Sequence, residues 1–284
     1  MRQVVNANLQ RYWDLRAAGN FSFGGTGSGL VLAAAFALAI GPSSALAVAA
    51  GLGLIALGLF CVWLEIGRPW RPINVFFNPR TSWMTREAML VPPLMAAGAA
   101  ALIVDFRFLA LASLFAAGFL YCQSRMLQAS RGIPAWCQKE IVPLIIATGL
   151  AEGSGAYLVI ADRSKTMIAA ALLAGIVREI VRELYRRGLI GAKAPPGTLA
   201  WFKSREERVL TTARLASIIC LALALGGFVA GWTPILVMVG GLLAVLTGWG
   251  LKVMLITRAA FTRGHVITHT PTRGRSGSEI VIAS

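Results

Sequence analysis

The sequence predicts an all-α integral membrane protein with eight transmembrane helices, and three observations carry that prediction. The 284 residues are 57% hydrophobic and only 14% charged, with a mean hydropathy of +0.70. An ordinary soluble domain is about 45–50% apolar and about 25% charged. Apolar runs of about 20 residues recur along the chain, the length a helix needs to cross a hydrocarbon layer about 30 Å thick. No stretch has the two-residue alternation of a membrane barrel, and only helices or closed barrels satisfy their backbone in lipid.

The spans lie at 21–40, 45–64, 88–104, 108–127, 141–160, 166–184, 209–230 and 235–256. Connections on one side are minimal, such as Gly41-Pro42-Ser43-Ser44 and Gly231-Trp232-Thr233-Pro234. Those on the other side are long, at 65–87, 125–140 and 185–208, and they gather the basic residues. Of 27 Lys and Arg, only Arg107, Arg163 and Lys165 fall on the short-loop side, and Arg214 lies within the seventh span. Arg125, Arg178, Arg182 and Lys252, at span ends, are counted with the basic loops. The positive-inside bias therefore assigns both termini to the cytoplasm and the chain to the inner (cytoplasmic) membrane as a multi-pass protein.

The net charge of +15 is accounted for by those loops, and no nucleic-acid partner is inferred from it. The polar start and the missing A-x-A-like site argue against a cleavable signal before the first span. Residues 1–20 form a cytoplasmic segment, 21–257 the membrane domain and 258–284 a basic tail. The tail is rich in Gly, Thr, Ser and Arg and is expected to be disordered or to order only on a partner. Elaboration confined to one face suits docking of another subunit in the cytoplasm.

The residues that are missing narrow the chemistry. His265 and His269 lie beyond the last span, so no intramembrane histidine is available to hold a haem. Cys61, Cys122, Cys137 and Cys220 are far apart with no C-x-x-C pair, which argues against an Fe–S cluster, a zinc site or a disulfide framework within this chain. Electron traffic through such a protein needs a diffusible organic carrier, for which a lipid-soluble quinone is the natural candidate, and metal centres on another subunit.

Several polar positions stand out against the apolar background. The glycines of Phe23-Gly24-Gly25-Thr26-Gly27-Ser28-Gly29 are read as close helix packing through Gly25 and Gly29, repeated by Gly149 and Gly153, because no βαβ context supports a phosphate cradle. Trp13 is an interfacial anchor, and Asn20 either caps the first helix or binds a ligand. Glu65 ends the second span, where it either pairs with Arg68 or exchanges a proton. In the loop that follows, Ser82 or Thr85 caps the third helix, Glu87 suits its first turn, and Arg80 and Arg86 suit a partner surface or lipid phosphates. Tyr121, Ser124, Arg125 and Gln128 share one helix face, which should line the bundle interior or a cavity. Glu152 and Arg178 are intramembrane charges that either pair structurally or carry protons.

Three stretches together resemble the NrfD-like membrane subunits of molybdenum oxidoreductases, the polysulfide reductase and DMSO reductase anchor type. They are Asn20 with its glycine-rich helix start, Leu64-Glu65-Ile66-Gly67-Arg68-Pro69 running into Ser82-Trp83-Met84-Thr85-Arg86-Glu87, and Tyr121 through Ile133-Pro134-Ala135-Trp136. The Trp13-Asp14 to Asn20 start looks most like the subunits of phenylacetyl-CoA:acceptor oxidoreductase type. The resemblance implies two four-helix bundles, at about 21–128 and 141–257. It implies a quinone site (menaquinone or ubiquinone) in the first, and by position Asn20, Glu65, Gly67, Tyr121 and Arg125 would line it, with Arg68 and Ser124 beside them. Glu65, Glu152 and Arg178 are the proton-transfer candidates, and Trp13, Arg80, Trp83, Arg86, Glu87 and Trp136 the docking candidates. The implied partners are a four-cluster ferredoxin-like subunit and a molybdopterin (Mo or W) catalytic subunit, which the charge bias assigns to the cytoplasm.

The rival expectation is a secondary transporter with Glu152 and Arg178 as midplane coupling groups. Against it, Pro92, Pro93 and Pro143 fall near the ends of the expected spans.

Overall fold

The computed structural model describes residues 7–66, 70–161, 163–227 and 230–263. Eight long helices run through them: α1 (Leu15–Ile40), α2 (Ala45–Ile66), α3 (Trp83–Ile103), α4 (Phe108–Gln128), α5 (Ile141–Ile160), α6 (Lys165–Gly191), α7 (Arg205–Gly226) and α8 (Thr233–Thr257). Seven of these are long and apolar enough to cross a membrane, so the chain is a multi-pass, all-helical membrane protein. The exception, α6, begins apolar but carries Arg178, Glu179, Arg182 and Glu183 in its middle turns. Large apolar side chains such as Phe60, Leu114, Leu173 and Ile219 lie exposed on the outer faces, as a lipid-facing surface requires.

Local chemistry sets where the helices begin and end. Side chains of Ser82, Ser164 and Ser204 cap α3, α6 and α7 by accepting from the backbone N–H three residues on. The Ser82 cap starts α3 five residues before the expected span at 88. Pro92 and Pro93, expected near a span end, therefore sit in the middle of α3, which continues through them. There they remove the i+4 donors of the Ala88 and Met89 carbonyls. At the other end of the fold, α7 stops at Gly227, whose left-handed φ of +67° suits glycine.

Packing follows small residues. Helix α1 lies against α2, α4 and α5; α3 pairs with α4; α5 packs on α6 and α8; and α7 pairs with α8. The α1–α5 crossing is the closest, because a β-carbon on Gly29 would strike the Gly149 carbonyl and one on Gly153 would strike the Gly29 backbone. The packing reading of these glycines is borne out. Gly153→Leu is expected to force α1 and α5 apart and to destabilise the fold by about 3 kcal/mol or more. Gly53→Ala, which meets nothing within 4 Å, should leave the midpoint of a denaturant titration unchanged or raised. A wild-type midpoint for Gly153→Leu would rule out the close crossing.

The chain ends meet. Leu9 bridges Phe261, and the Gln10 backbone N–H donates to the Ala260 carbonyl at 2.9 Å. The Gln10 side chain spans the Trp13 and Ile256 carbonyls, at 2.7 and 2.9 Å. Residues 259–263, expected within a disordered tail, are thus ordered by backbone pairing with residues 8–10 and by the Thr198 hydroxyl, which donates to the Ala259 carbonyl at 2.8 Å. His265 and His269 lie outside the described residues.

Candidate functional site

The first polar centre forms where α1 departs from ideal geometry. Residues Asn20–Gly24 make one π-helical turn inside α1, a local widening often found at functional sites. The turn leaves the Asn20 carbonyl to the side chain of Gln123 on α4, whose Nε2 donates to it at 3.0 Å. Gly58 on α2 lets that helix close on the turn, since a β-carbon there would lie 3.2 Å from Asn20 Oδ1. Asn20 is therefore held inside a continuous helix and caps nothing. Its Oδ1 is buried without a hydrogen-bond partner.

Asn20 faces a cavity of about 210 Å³ whose wall includes Val62, Ile66, Met84, Glu87 and Met126. A second chamber of about 200 Å³ shares Asn20, Val62, Ile66, Met84 and Met126 and reaches Glu65 and Trp13. The walls are otherwise apolar, and the half-exposed Trp63 and Phe76 bring the first chamber to the lipid-facing surface. Glu87 is buried on the inner wall with the side chains of Asn20 and Gln123 as its hydrogen-bonding neighbours, and neither carboxyl oxygen makes a bond of regular geometry. Gln123 stands behind the wall, outside the cavity lining. Asn20 and Glu87 thus bring two buried acceptor groups to one apolar cavity. Buried acceptors normally have donors, so the arrangement calls for a ligand that brings hydroxyl or N–H groups.

At the chamber mouth, Asp14 caps α1 and pairs with Arg16 at 2.8 Å. That hydrogen-bonded guanidinium holds the Asp14 carboxyl below its ordinary range. Arg16 Nη1 also donates to the Leu64 carbonyl at 2.9 Å, which fastens the start of α1 to the end of α2 beside Glu65.

A second polar centre lies deeper, between α1, α5 and α8. Glu152 and Lys252 are both fully buried and meet at 2.7 Å. The Thr26 hydroxyl lies 2.7 Å from the same carboxylate oxygen and accepts from Trp249 Nε1 at 2.8 Å. Gly25 and Gly248 make room for the pair, because β-carbons there would collide with Lys252 Nζ and Glu152 Oε1. The expected Glu152–Arg178 pairing is replaced by Glu152–Lys252. Arg178, fully buried, instead donates to the Ala244 carbonyl at 3.0 Å and lies 3.6 Å from Glu179. From Glu179 an ion network runs to Arg214 at 2.9 Å, on to Glu207 at 2.8 Å and to Arg182 at 3.0 Å.

The expected site residues separate into groups. Asn20 and Glu65 line the two chambers, while Gly67 and Arg68 fall outside the described residues. Tyr121 and Arg125 do not line the chambers: the Tyr121 ring meets Trp83 edge-on at 5.7 Å, and Arg125 sits 4.9 Å over the Trp83 ring. Ser124 is buried and gives its hydroxyl to the Tyr121 carbonyl at 2.6 Å, on its own helix. Among the expected docking residues, Arg80 is exposed and Trp83 partly so, and Arg86 is spent on its own loop, donating to the Pro79 and Arg80 carbonyls at 2.8 and 2.9 Å. Glu87 and Trp136 are each 3% exposed, so neither offers a docking surface. Trp136 stacks under Trp13 at 4.9 Å and donates to the Leu255 carbonyl at 3.1 Å.

Gln123, Lys252, Thr26 and Trp249 had no part in the expected site. The available signal was a glutamine inside span four and a lysine one turn inside span eight, which loop counting absorbed into the basic tail. Cys137, beside the one-turn helix Pro134–Cys137, has its thiol pushed up by burial, and no group of metal-ligating side chains gathers among the described residues. Compared with protein-family models and with curated proteins, the chain matches none.

Proposed function

We propose that the chain is a quinone-interacting membrane anchor of the NrfD-like kind, which passes electrons between the membrane quinone pool and a cytoplasmic oxidoreductase. In this reading all eight long helices span the inner membrane, with the basic loops and both termini in the cytoplasm. They form two four-helix bundles, α1–α4 and α5–α8, joined where α1 and α4 meet α5; the helix contacts favour that grouping. The partners are a four-cluster ferredoxin-like subunit and a molybdopterin subunit, docked on the face that carries Arg80, Trp83 and the exposed Trp70 and Phe77.

One observation carries the reading. Asn20 and Glu87, whose Oδ1 and carboxyl oxygens are buried, are the polar members of an otherwise apolar cavity wall at the lipid-facing surface. A quinone or quinol would supply two-electron, two-proton redox chemistry in that cavity. The quinol form, a flat apolar ring with a hydroxyl at each end, can donate to these acceptors, whereas quinone carbonyls only accept and would pair with the Asn20 amide N–H or a protonated Glu87. Each chamber is below the roughly 300–1,000 Å³ typical of drug-sized ligand pockets, so ring recognition falls to the protein and the tail runs out past Trp63 to lipid. Asn20 holds the ring through its amide. Glu87 exchanges the proton at the ring oxygen, and Glu65, at the outer chamber, passes it towards water. Glu152 and Arg178 are further proton-transfer candidates, the former held ready beside Lys252. Membrane lipid is the remaining partner.

The buried Glu152–Lys252 pair and the mid-helix Pro92-Pro93 favour a second reading, a secondary transporter. Purification from native membranes in mild detergent, with mass spectrometry and metal analysis of the co-eluting proteins, separates the two. Under the anchor reading a cysteine-rich subunit and a large molybdenum or tungsten protein co-elute, and a hydroxyquinoline N-oxide, a quinol-site probe, binds saturably. Asn20→Leu should weaken that binding at least about ten-fold. A chain that elutes alone, binds no probe and takes up solute in vesicles is the transporter.

A further inference from the structure

Beside the inner ends of α6 and α7 lies a cavity of about 730 Å³ that plays no part in the quinone reading and does not depend on it. Its basic side chains are Arg182, Arg186, Lys203 and Arg208, its one acidic lining residue is the buried Glu207, and its apolar wall is Ile190, Leu199 and Phe202. The charges around it do not cancel. Arg182 is matched by Glu179 and Glu207, and Arg186 by Glu183. Lys203 and Arg208 have no ion pair among the described residues, and both are exposed. Thr211 and Thr212 add hydroxyls to the wall.

The cavity continues into an apolar surface. On α7 the positions after Arg208 and Thr212 on the same face are Leu215 and Ile219, exposed at 49% and 56%. A basic pocket beside this exposed apolar track on α7 matches an anionic headgroup with acyl chains attached. A free anion or an acidic peptide would leave the track without a role. Basic pockets between the cytoplasmic ends of membrane helices are a general means of holding anionic headgroups.

We infer that this cavity is a binding site for an anionic phospholipid, with Lys203 and Arg208 on the phosphate and the acyl chains laid along α7. The test titrates the delipidated full-length chain with phosphatidylglycerol or phosphatidylcholine and counts bound lipid by native mass spectrometry. Phosphatidylglycerol should bind the wild type at least about five-fold more tightly than phosphatidylcholine. The double variant Lys203→Ala/Arg208→Ala should lose that preference, and Lys203→Arg/Arg208→Lys should keep it, which separates lost charge from lost folding. Equal binding of the two lipids, or a preference that survives the double alanine variant, overturns the site. Displacement of the lipid by inorganic phosphate alone, or by a polyglutamate peptide, overturns the lipid as its occupant.

Discussion

Under the quinone-anchor reading, Glu87→Gln is expected to lower quinone-coupled turnover of the intact complex by about 10²–10⁴-fold, the usual contribution of a positioned acid or base. Electron transfer from the catalytic subunit to an artificial dye should be unchanged, because the dye bypasses the membrane chain. The substitution keeps the shape and hydrogen-bonding reach of the side chain but removes its capacity to exchange a proton. The glutamine amide can keep the contacts that Glu87 makes with Asn20 and Gln123, so the thermal midpoint should stay close to the wild-type value. Glu65→Gln, altering a residue of the outer chamber that is only half-buried, should have the smaller effect. Quinone activity that survives Glu87→Gln intact would remove Glu87 from the site.

Lys252→Met should produce the largest loss of stability. It leaves the Glu152 carboxylate fully buried with its cation gone, and breaking a buried pair from one side typically costs about 3–5 kcal/mol. Thr26 still reaches that carboxylate, but one neutral hydroxyl does not replace a cation. The double variant Glu152→Gln/Lys252→Met removes both charges and should recover wild-type stability or exceed it, since an apolar replacement of a buried pair is often neutral or stabilising. Denaturant titration of the three proteins in detergent reads both effects. A single variant as stable as wild type would mean that water reaches the pair.

The membrane class and the approximate helix positions were legible because both follow from apolar run length, a local property. The packing role of Gly29, Gly149 and Gly153 was legible for the same reason, as small-residue spacing is written in the chain. Asn20 and Glu65 were legible because a polar group at a span boundary is conspicuous. Glu87 was expected in the first turns of the third helix, behind a Ser82 or Thr85 cap, and as a docking residue; the Ser82 cap and the helix are as expected, but the helix turns Glu87 inward, a direction that capping signals do not give. Tyr121 and Arg125 share a face, but periodicity gives no direction for that face, and Trp83 rather than the cavity lies against it. The Glu152 partner was hidden because α6 and α8 each offer a cation. The choice between Arg178 and Lys252 is made by room beside Gly25 and Gly248, which appears only when three helices are assembled.

The joint between residues 8–10 and 260–262 has a consequence for biosynthesis. Residues 8–10 leave the ribosome about 250 residues ahead of their partners, and chains emerge at about 5–20 residues per second. The Leu9–Phe261 bridge and the Gln10 hydrogen bonds to Ala260 and Ile256 therefore close only after α8 has been translated. Trp13, which borders the outer chamber, is tied through the Gln10 side chain to that late event. The candidate cavity is lined by residues 13–126, yet its outer wall is fastened by residues 256–260, so a nascent chain has an open chamber until those residues have been made.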